Sequence, residues 1–439
     1  MAAAVPCHRY TTNSPAGYEM KKTVAAAVAA TLLLIAGTAA AQGANKGNAV
    51  NISNYGVKCD GVTNDTAAIN AALTQLSGLK IQFPAGVCLY NGGGILNPAT
   101  VLEGAGRHGT VIRALSPAAS YLFDVYGQGA GIRGFRFEAA VTQTGGSYVW
   151  LRGQESFIEE FHMTGDYNGI LMTGSVTRIR HGRFQDGAPG AIRIRAEGGD
   201  NSQMIDDVLM GAQQPQVSTA GIRVRNSAAL IISNTSVIQQ GIGLLVDPYT
   251  STNSNPTVTT DAGAVFSLWV HHCFFDNSLN NGIAVVPTGT GSVQRIRFDN
   301  VWAGSSGKDG VLVANFGSGS VSGVHFSSPH LVDNKGSGIT TGGTVEDIAI
   351  DGGEIAQNQY GVYLNPGANG VRITNATIGK GAGMTGNRSV GVVISSGVDY
   401  VTLANNDVRG NGSAIANGAS GSHQLFRSNF GGIPTVEAP

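Results

Sequence analysis

The sequence predicts one long all-β solenoid, on three observations. Charged residues make up only 13% of the chain, while glycine supplies 64 of its 439 residues. That balance suits many short strands joined by tight turns. A glycine followed by an aliphatic residue recurs at Gly169-Ile170, Gly221-Ile222, Gly243-Leu244, Gly282-Ile283, Gly310-Val311, Gly338-Ile339, Gly361-Val362 and Gly391-Val392, with Gly190-Ala191-Ile192 as a variant. The spacing of 21 to 39 residues fits stacked coils with loops of variable length. Within the coils an eight-residue template also repeats: apolar, any, apolar, outward, turn, any, outward, apolar. Ile348 to Ile355, Ile296 to Ala303 and Val401 to Val408 follow it. Fourteen prolines and no Gly-X-Y period exclude collagen, and 27 basic against 28 acidic residues argue against a nucleic-acid surface.

In chain order, Met20-Lys21-Lys22, the apolar run Val24 to Ala36 and Ala39-Ala40-Ala41 before Gln42 read as a secretory signal peptide cut after Ala41. Residues 1–41 are then extension plus signal, and 42–439 one domain, secreted or periplasmic, without a membrane span. In an oxidising compartment Cys59 and Cys88 are expected to form a disulfide, leaving Cys273 buried. Asn64-Asp65-Thr66 offers helix caps, and Ala68, Ile69, Ala72, Leu73 and Leu76 follow at helical spacing until Gly78. A strand is expected at Leu79 to Phe83.

Tyr55-Gly-Val-Lys-Cys-Asp60-Gly-Val-Thr-Asn-Asp65-Thr66-Ala-Ala-Ile69, followed by Ile81-Gln-Phe-Pro84-Ala-Gly86, resembles the N-terminal signature of the pectate-lyase-like superfamily, in its rhamnogalacturonase/epimerase type. The resemblance implies a right-handed parallel β-helix with a short N-terminal helical cap. The cap would span about residues 42–90 and the coils about 91–425, with the cap covering the open end of the solenoid.

Equivalent positions on neighbouring coils stack about 4.8 Å apart, so the template yields a surface map. Its first outward column reads Glu159, Arg180, Asp206, Ser233, His271, Asp299, Ser327, Asp351, Thr374, Ala404. Its second reads His162, Arg183, Leu209, Ser236, Phe274, Trp302, His330, Glu354, Thr377, Asp407. The turn column, with Asn234, Asn300, Asn375 and Asn405, reads as an asparagine ladder that stabilises corners. Asp299 and Asp351, two coils apart, suit a carboxyl pair for glycosidic hydrolysis, with His271 tuning one of them and Trp302 offering a sugar-stacking face. Such carboxylates serve equally as turn caps on a solvated face.

Arg193, Arg195, Arg223 and Arg225 alternate with aliphatics on two successive coils, so all four are expected outward. There they would hold an acidic glycan, unless Glu197, Asp200 or Asp206 pair with them. Gly104 to Gly109 satisfies G-x-G-x-x-G without a βαβ unit and reads as a turn. In His271-His272-Cys273 strand alternation argues against one shared metal.

The resemblance further implies a carbohydrate-active enzyme. Arg180 would be the base if it is a lyase, and Ca²⁺ would then be a possible cofactor. The chain departs from polygalacturonases in lacking Gly-His-Gly, and from alginate epimerases in keeping only Asp247-Pro248-Tyr249 of Asp-Pro-His-Asp. The expectation is a secreted enzyme cleaving an acidic, uronate-containing polysaccharide, a hydrolase ahead of a lyase. The alternatives are a uronan C5-epimerase or a non-catalytic adhesin or tailspike-like binder.

Overall fold

The computed structural model describes residues 49–198, 202–211, 218–248, 263–381, 383–432 and 436. The signal segment and Asp200 lie outside the described residues. The described chain winds into a right-handed parallel β-helix whose strands form one 26-stranded and one 13-stranded sheet. Each of about thirteen coils therefore gives two segments to the first sheet and one to the second. Pairing is parallel throughout the ladder, from Val50↔Ile81 to Ala404↔Arg427. Stacking thus starts at Val50, inside the segment read from sequence as the cap.

The cap helix spans Thr66–Gln75 and buries Ile69, Ala72 and Leu73. Asn64 Oδ1 accepts from the Thr66 amide at 3.1 Å, whereas Asp65 turns inward and accepts from the amides of Lys58 and Cys59. Cys59 and Cys88 form the expected disulfide, and Cys273 is free and buried. Burial pushes the Cys273 thiol up to about 12. The strand expected at Leu79 to Phe83 is Lys80–Gln82. No described helix is long and apolar enough to cross a membrane.

The core is a continuous file of Val, Ile, Leu and Phe, including Phe298 and Phe326 stacked at 4.7 Å. The repeated glycine has a steric cause. A Cβ on Gly243, Gly282, Gly310, Gly338 or Gly361 would stand 2.4 to 2.8 Å from the carbonyl oxygen of the next glycine in the file. At that approach only glycine fits.

The corner column behaves as expected in backbone and differs in chemistry. Asn234, Asn300, Asn375 and Asn405 all have φ between 48° and 57°, the left-handed corner that Asn tolerates. This column is nonetheless solvent-facing, and Asn405 Nδ2 reaches Asn375 Oδ1 only at 3.4 Å. The buried asparagine ladder lies at another corner, where Asn334, Asn358, Asn387 and Asn411 succeed one another. Asn358 Oδ1 accepts from the backbone and side-chain amides of Asn334, each at 2.9 Å, and its Nδ2 donates to Leu331 O and Asn387 Oδ1. Replacing Asn358 by alanine would orphan these buried partners, at about 1–3 kcal/mol for an unsatisfied group. Asn358→Ala should therefore unfold with a denaturant midpoint lowered by the equivalent of about 2–3 kcal/mol. An unchanged midpoint would show that the ladder is ornamental to stability.

Candidate functional site

Register settles the surface map. Every step of the first outward column is observed, from Glu159↔Arg180 through His271↔Asp299, Asp299↔Ser327 and Ser327↔Asp351 to Thr374↔Ala404. The second column holds from His162↔Arg183 to Thr377↔Asp407. Asp299 and Asp351 are exposed and flank Ser327. Asp351 accepts from Thr374 Oγ1 and Asn375 Nδ2, both at 2.8 Å.

Trp302 is corrected as a stacking platform. It lies between Phe274 and His330, with ring centroids 6.3 and 6.2 Å away and planes inclined by 29° and 22°, so both of its faces are turned to protein. The alternation argument for His271 and His272 also fails. His272 occupies the left-handed corner (φ 54°), which breaks the two-residue period and leaves the two Nδ1 atoms 3.4 Å apart. Cys273 points into the core.

The arginine quartet is neutralised from within. Arg193 is not outward at all. Pairing of Ile192 with Asn168 and Ala220, and of Ile194 with Ile170 and Ile222, puts it in the glycine file between Gly169 and Gly221. It is 1% exposed, donates to Asp166 Oδ1 at 2.8 Å and lies over the Phe184 ring. Arg195 forks onto Glu197, and Arg223 and Arg225 both clamp Asp247. Arg180 pairs with Asp206 at 3.6 Å. Partial burial would raise the Asp206 carboxyl, but hydrogen bonds from Ser233 and Asn234 outweigh it and hold the group below the usual range.

A cleft of about 690 Å³ opens elsewhere, between the 104–109 turn and the coils carrying Glu160, His181, Arg183, Asp207 and Leu209. The G-x-G-x-x-G segment is the turn between strands Val101–Glu103 and Thr110–Ala114, and it contributes Arg107 and His108 as one wall. Glu160, His181 and Asp207 occupy the corner column on three successive coils, with φ 53°, 52° and 52°. His181 Nε2 stands 3.8 Å from Asp207 Oδ2. Arg107 and Arg183 form no ion pair among the described residues, unlike the quartet above.

Behind this wall His162 is 7% exposed, with neither ring nitrogen hydrogen-bonded among the described residues. Burial, then the charges of Arg136 and Arg183, then His108 and Arg107, hold its pKa down at about 4. The His108 and His162 rings meet edge to face at 6.1 Å. The two outward columns contain His162 and Arg183, whereas Glu160, His181 and Asp207 lie in the turn column, of which the sequence reading names only the asparagines. Their ionisable character, where later coils other than that of His272 carry Asn, Ser or Gly, was the available signal.

For Ca²⁺, the one group of three His, Cys, Asp or Glu ligand atoms within 4.8 Å among the described residues is Cys59, Asp65 and Cys88. Its two sulfurs are bonded to each other, so it is no oxygen cage of the kind Ca²⁺ takes.

Residues 49–290 match the family described as rhamnogalacturonase A/epimerase, pectate lyase-like. No curated protein matches the chain in sequence. Among solved structures, the A-module of the Azotobacter vinelandii mannuronan C-5 epimerase AlgE6 is similar at TM-score 0.56 and 14% identity, over 88% of this chain and 100% of that one. The pre-mature bacteriophage phi29 gene product 12 is similar at TM-score 0.59 and 16% identity, over 87% and 56%. The Dettilon tailspike protein is similar at TM-score 0.52 and 14% identity, over 84% and 68%. At these identities the likeness is one of fold.

Proposed function

Because the chain belongs to the rhamnogalacturonase A/epimerase, pectate lyase-like family, we propose that it is an exported carbohydrate-active enzyme that takes an acidic, uronate-containing polysaccharide in the cleft of Arg107, His181, Arg183 and Asp207. The observation that carries this reading is one cleft holding both an imidazole–carboxylate pair and two arginines without carboxylate partners among the described residues. A polymer lying along the coils would meet Arg183 and Arg107, whose guanidinium forks suit a uronate carboxylate. Neutralising that carboxylate acidifies the carbon-bound proton beside it. His181, with the Asp207 carboxylate 3.8 Å away, then accepts that proton. A proton from solvent water then goes to the departing glycosidic oxygen in an elimination, or to the opposite face of the same carbon in an epimerisation, and Glu160, one coil away on the other side, is placed to orient that water. Export is supported by the Met20 to Gln42 pattern and by the disulfide.

A second reading keeps Asp299 and Asp351, with His271, as a hydrolytic pair on the open sheet face. The observed register favours it, because a two-coil separation of about 9.6 Å at the backbone leaves room for water and substrate. Hydrogen bonds to Asp351 also set its environment apart from that of Asp299.

One assay separates the readings. The purified protein is incubated with pectic, alginate and capsular polysaccharides, with and without Ca²⁺, while reducing ends and the ultraviolet absorbance of unsaturated uronate are followed. The expected result is absorbance appearing with new reducing ends, or loss of the carbon-bound hydrogen to solvent without chain cleavage. Reducing ends without absorbance would favour the Asp299–Asp351 pair. Retention of glycan with no product or exchange would leave a binding protein.

A further inference from the structure

We propose that anion binding in the cleft is coupled to protonation of His162, so that the cleft takes up a proton together with an acidic ligand. The inference rests on the acidic-polysaccharide reading and adds a regulatory property to the same site. His162 belongs to the second outward column, with Arg136 and Arg183 as its coil neighbours. An outward histidine would ordinarily meet solvent, but the 104–109 turn lies over it and only 7% of it stays exposed.

The groups around it are mostly cationic. Arg136 comes from the preceding coil and Arg183 from the following one, while Arg107 and His108 come from the overlying turn. The nearest acids on these elements are committed or turned aside. Glu138 is shared by Arg113 and Arg136, and Glu160 lines the cleft from the corner of the same strand.

Two buried, unbonded ring nitrogens in such a setting cost free energy unless a ligand or a proton engages them. An anion resting on Arg107 and Arg183 lowers the positive potential at the ring and so favours its protonation. The sign follows by linkage. The ring is held neutral down to about pH 4 in the free protein. A ligand that raises this midpoint must itself bind more tightly as pH falls from neutrality toward 4, and the gain levels off below that pH.

The test uses inorganic sulfate, whose charge is constant over this range, and the full-length protein. The His162 ring is followed by histidine-selective NMR between pH 4 and 8, with and without sulfate, and is assigned from the signal lost in His162→Gln. Sulfate affinity is measured by calorimetry at pH 7 and pH 4.5. Saturating sulfate should raise the His162 midpoint by about one unit and tighten binding roughly threefold between pH 7 and pH 4.5. His162→Gln should remove most of that pH dependence.

If sulfate binds, weakens on Arg183→Gln, and leaves the His162 midpoint unmoved, the coupling is wrong while the acidic-ligand reading stands. If sulfate produces no binding at either pH, the acidic-ligand reading itself falls, and the coupling with it. The wild-type titration decides between these results even if His162→Gln does not fold.

Discussion

Replacing Asp166 by alanine should destabilise the coils around residues 157–246 by about 3–5 kcal/mol, because it strands a guanidinium in a dry core. Asp166 is 0% and Arg193 1% exposed, and the pair is joined at 2.8 Å. Arg193 retains a bond to Gln185 O at 3.1 Å and a contact with the Phe184 ring, neither of which supplies a countercharge. Burial pushes the Asp166 carboxyl up against the pull of Arg193, so the pair is a costly arrangement held together by geometry. Breaking one half is therefore far worse than removing both. The double variant Asp166→Leu with Arg193→Met should recover most of the loss. In a solenoid each coil contacts only its neighbours, so hydrogen exchange should accelerate most between Phe157 and Val246. Uniform acceleration along the chain, or a double variant as unstable as Asp166→Ala, would contradict this account.

Arg193 also shows where the sequence was legible and where it was not. Strand alternation and the eight-residue template reproduced both outward columns, because parallel coils stack residue on residue with no freedom of register. The same logic failed wherever a corner interrupted the period of two. Aligning Gly190 with the glycine file put Arg193 on the surface, whereas the register puts Arg193 itself in that file. His271 and His272 share a side for a related reason, since His272 is itself the left-handed residue that turns the chain. The buried asparagines 334, 358 and 387 lie outside the template segment, at a corner the pattern did not sample. The cleft was hidden by distance along the chain. Its overlying turn at 104–109 precedes the floor residues by two or more coils, and no local spacing links Arg107 to His181 or Asp207.

His181→Ala should lower kcat on the identified polysaccharide by about 10²–10⁴ with little change in KM, the usual range for removing a positioned proton acceptor. Asp207→Asn keeps the shape of the site and removes the charge 3.8 Å from His181 Nε2. It should therefore lower kcat, because the charge that develops on the imidazole during proton transfer loses its neighbour. Arg183→Ala should both raise KM and lower kcat, since neutralising the substrate carboxylate holds the polymer and also acidifies the proton to be removed. Asp299→Ala and Asp351→Ala provide the comparison. Both residues are exposed on the open face, and the cleft reading expects turnover to survive their loss. If instead Asp299→Ala and Asp351→Ala abolish turnover while His181→Ala retains it, the chemistry belongs to the open face, and the cleft is left as a binding site for the acidic chain.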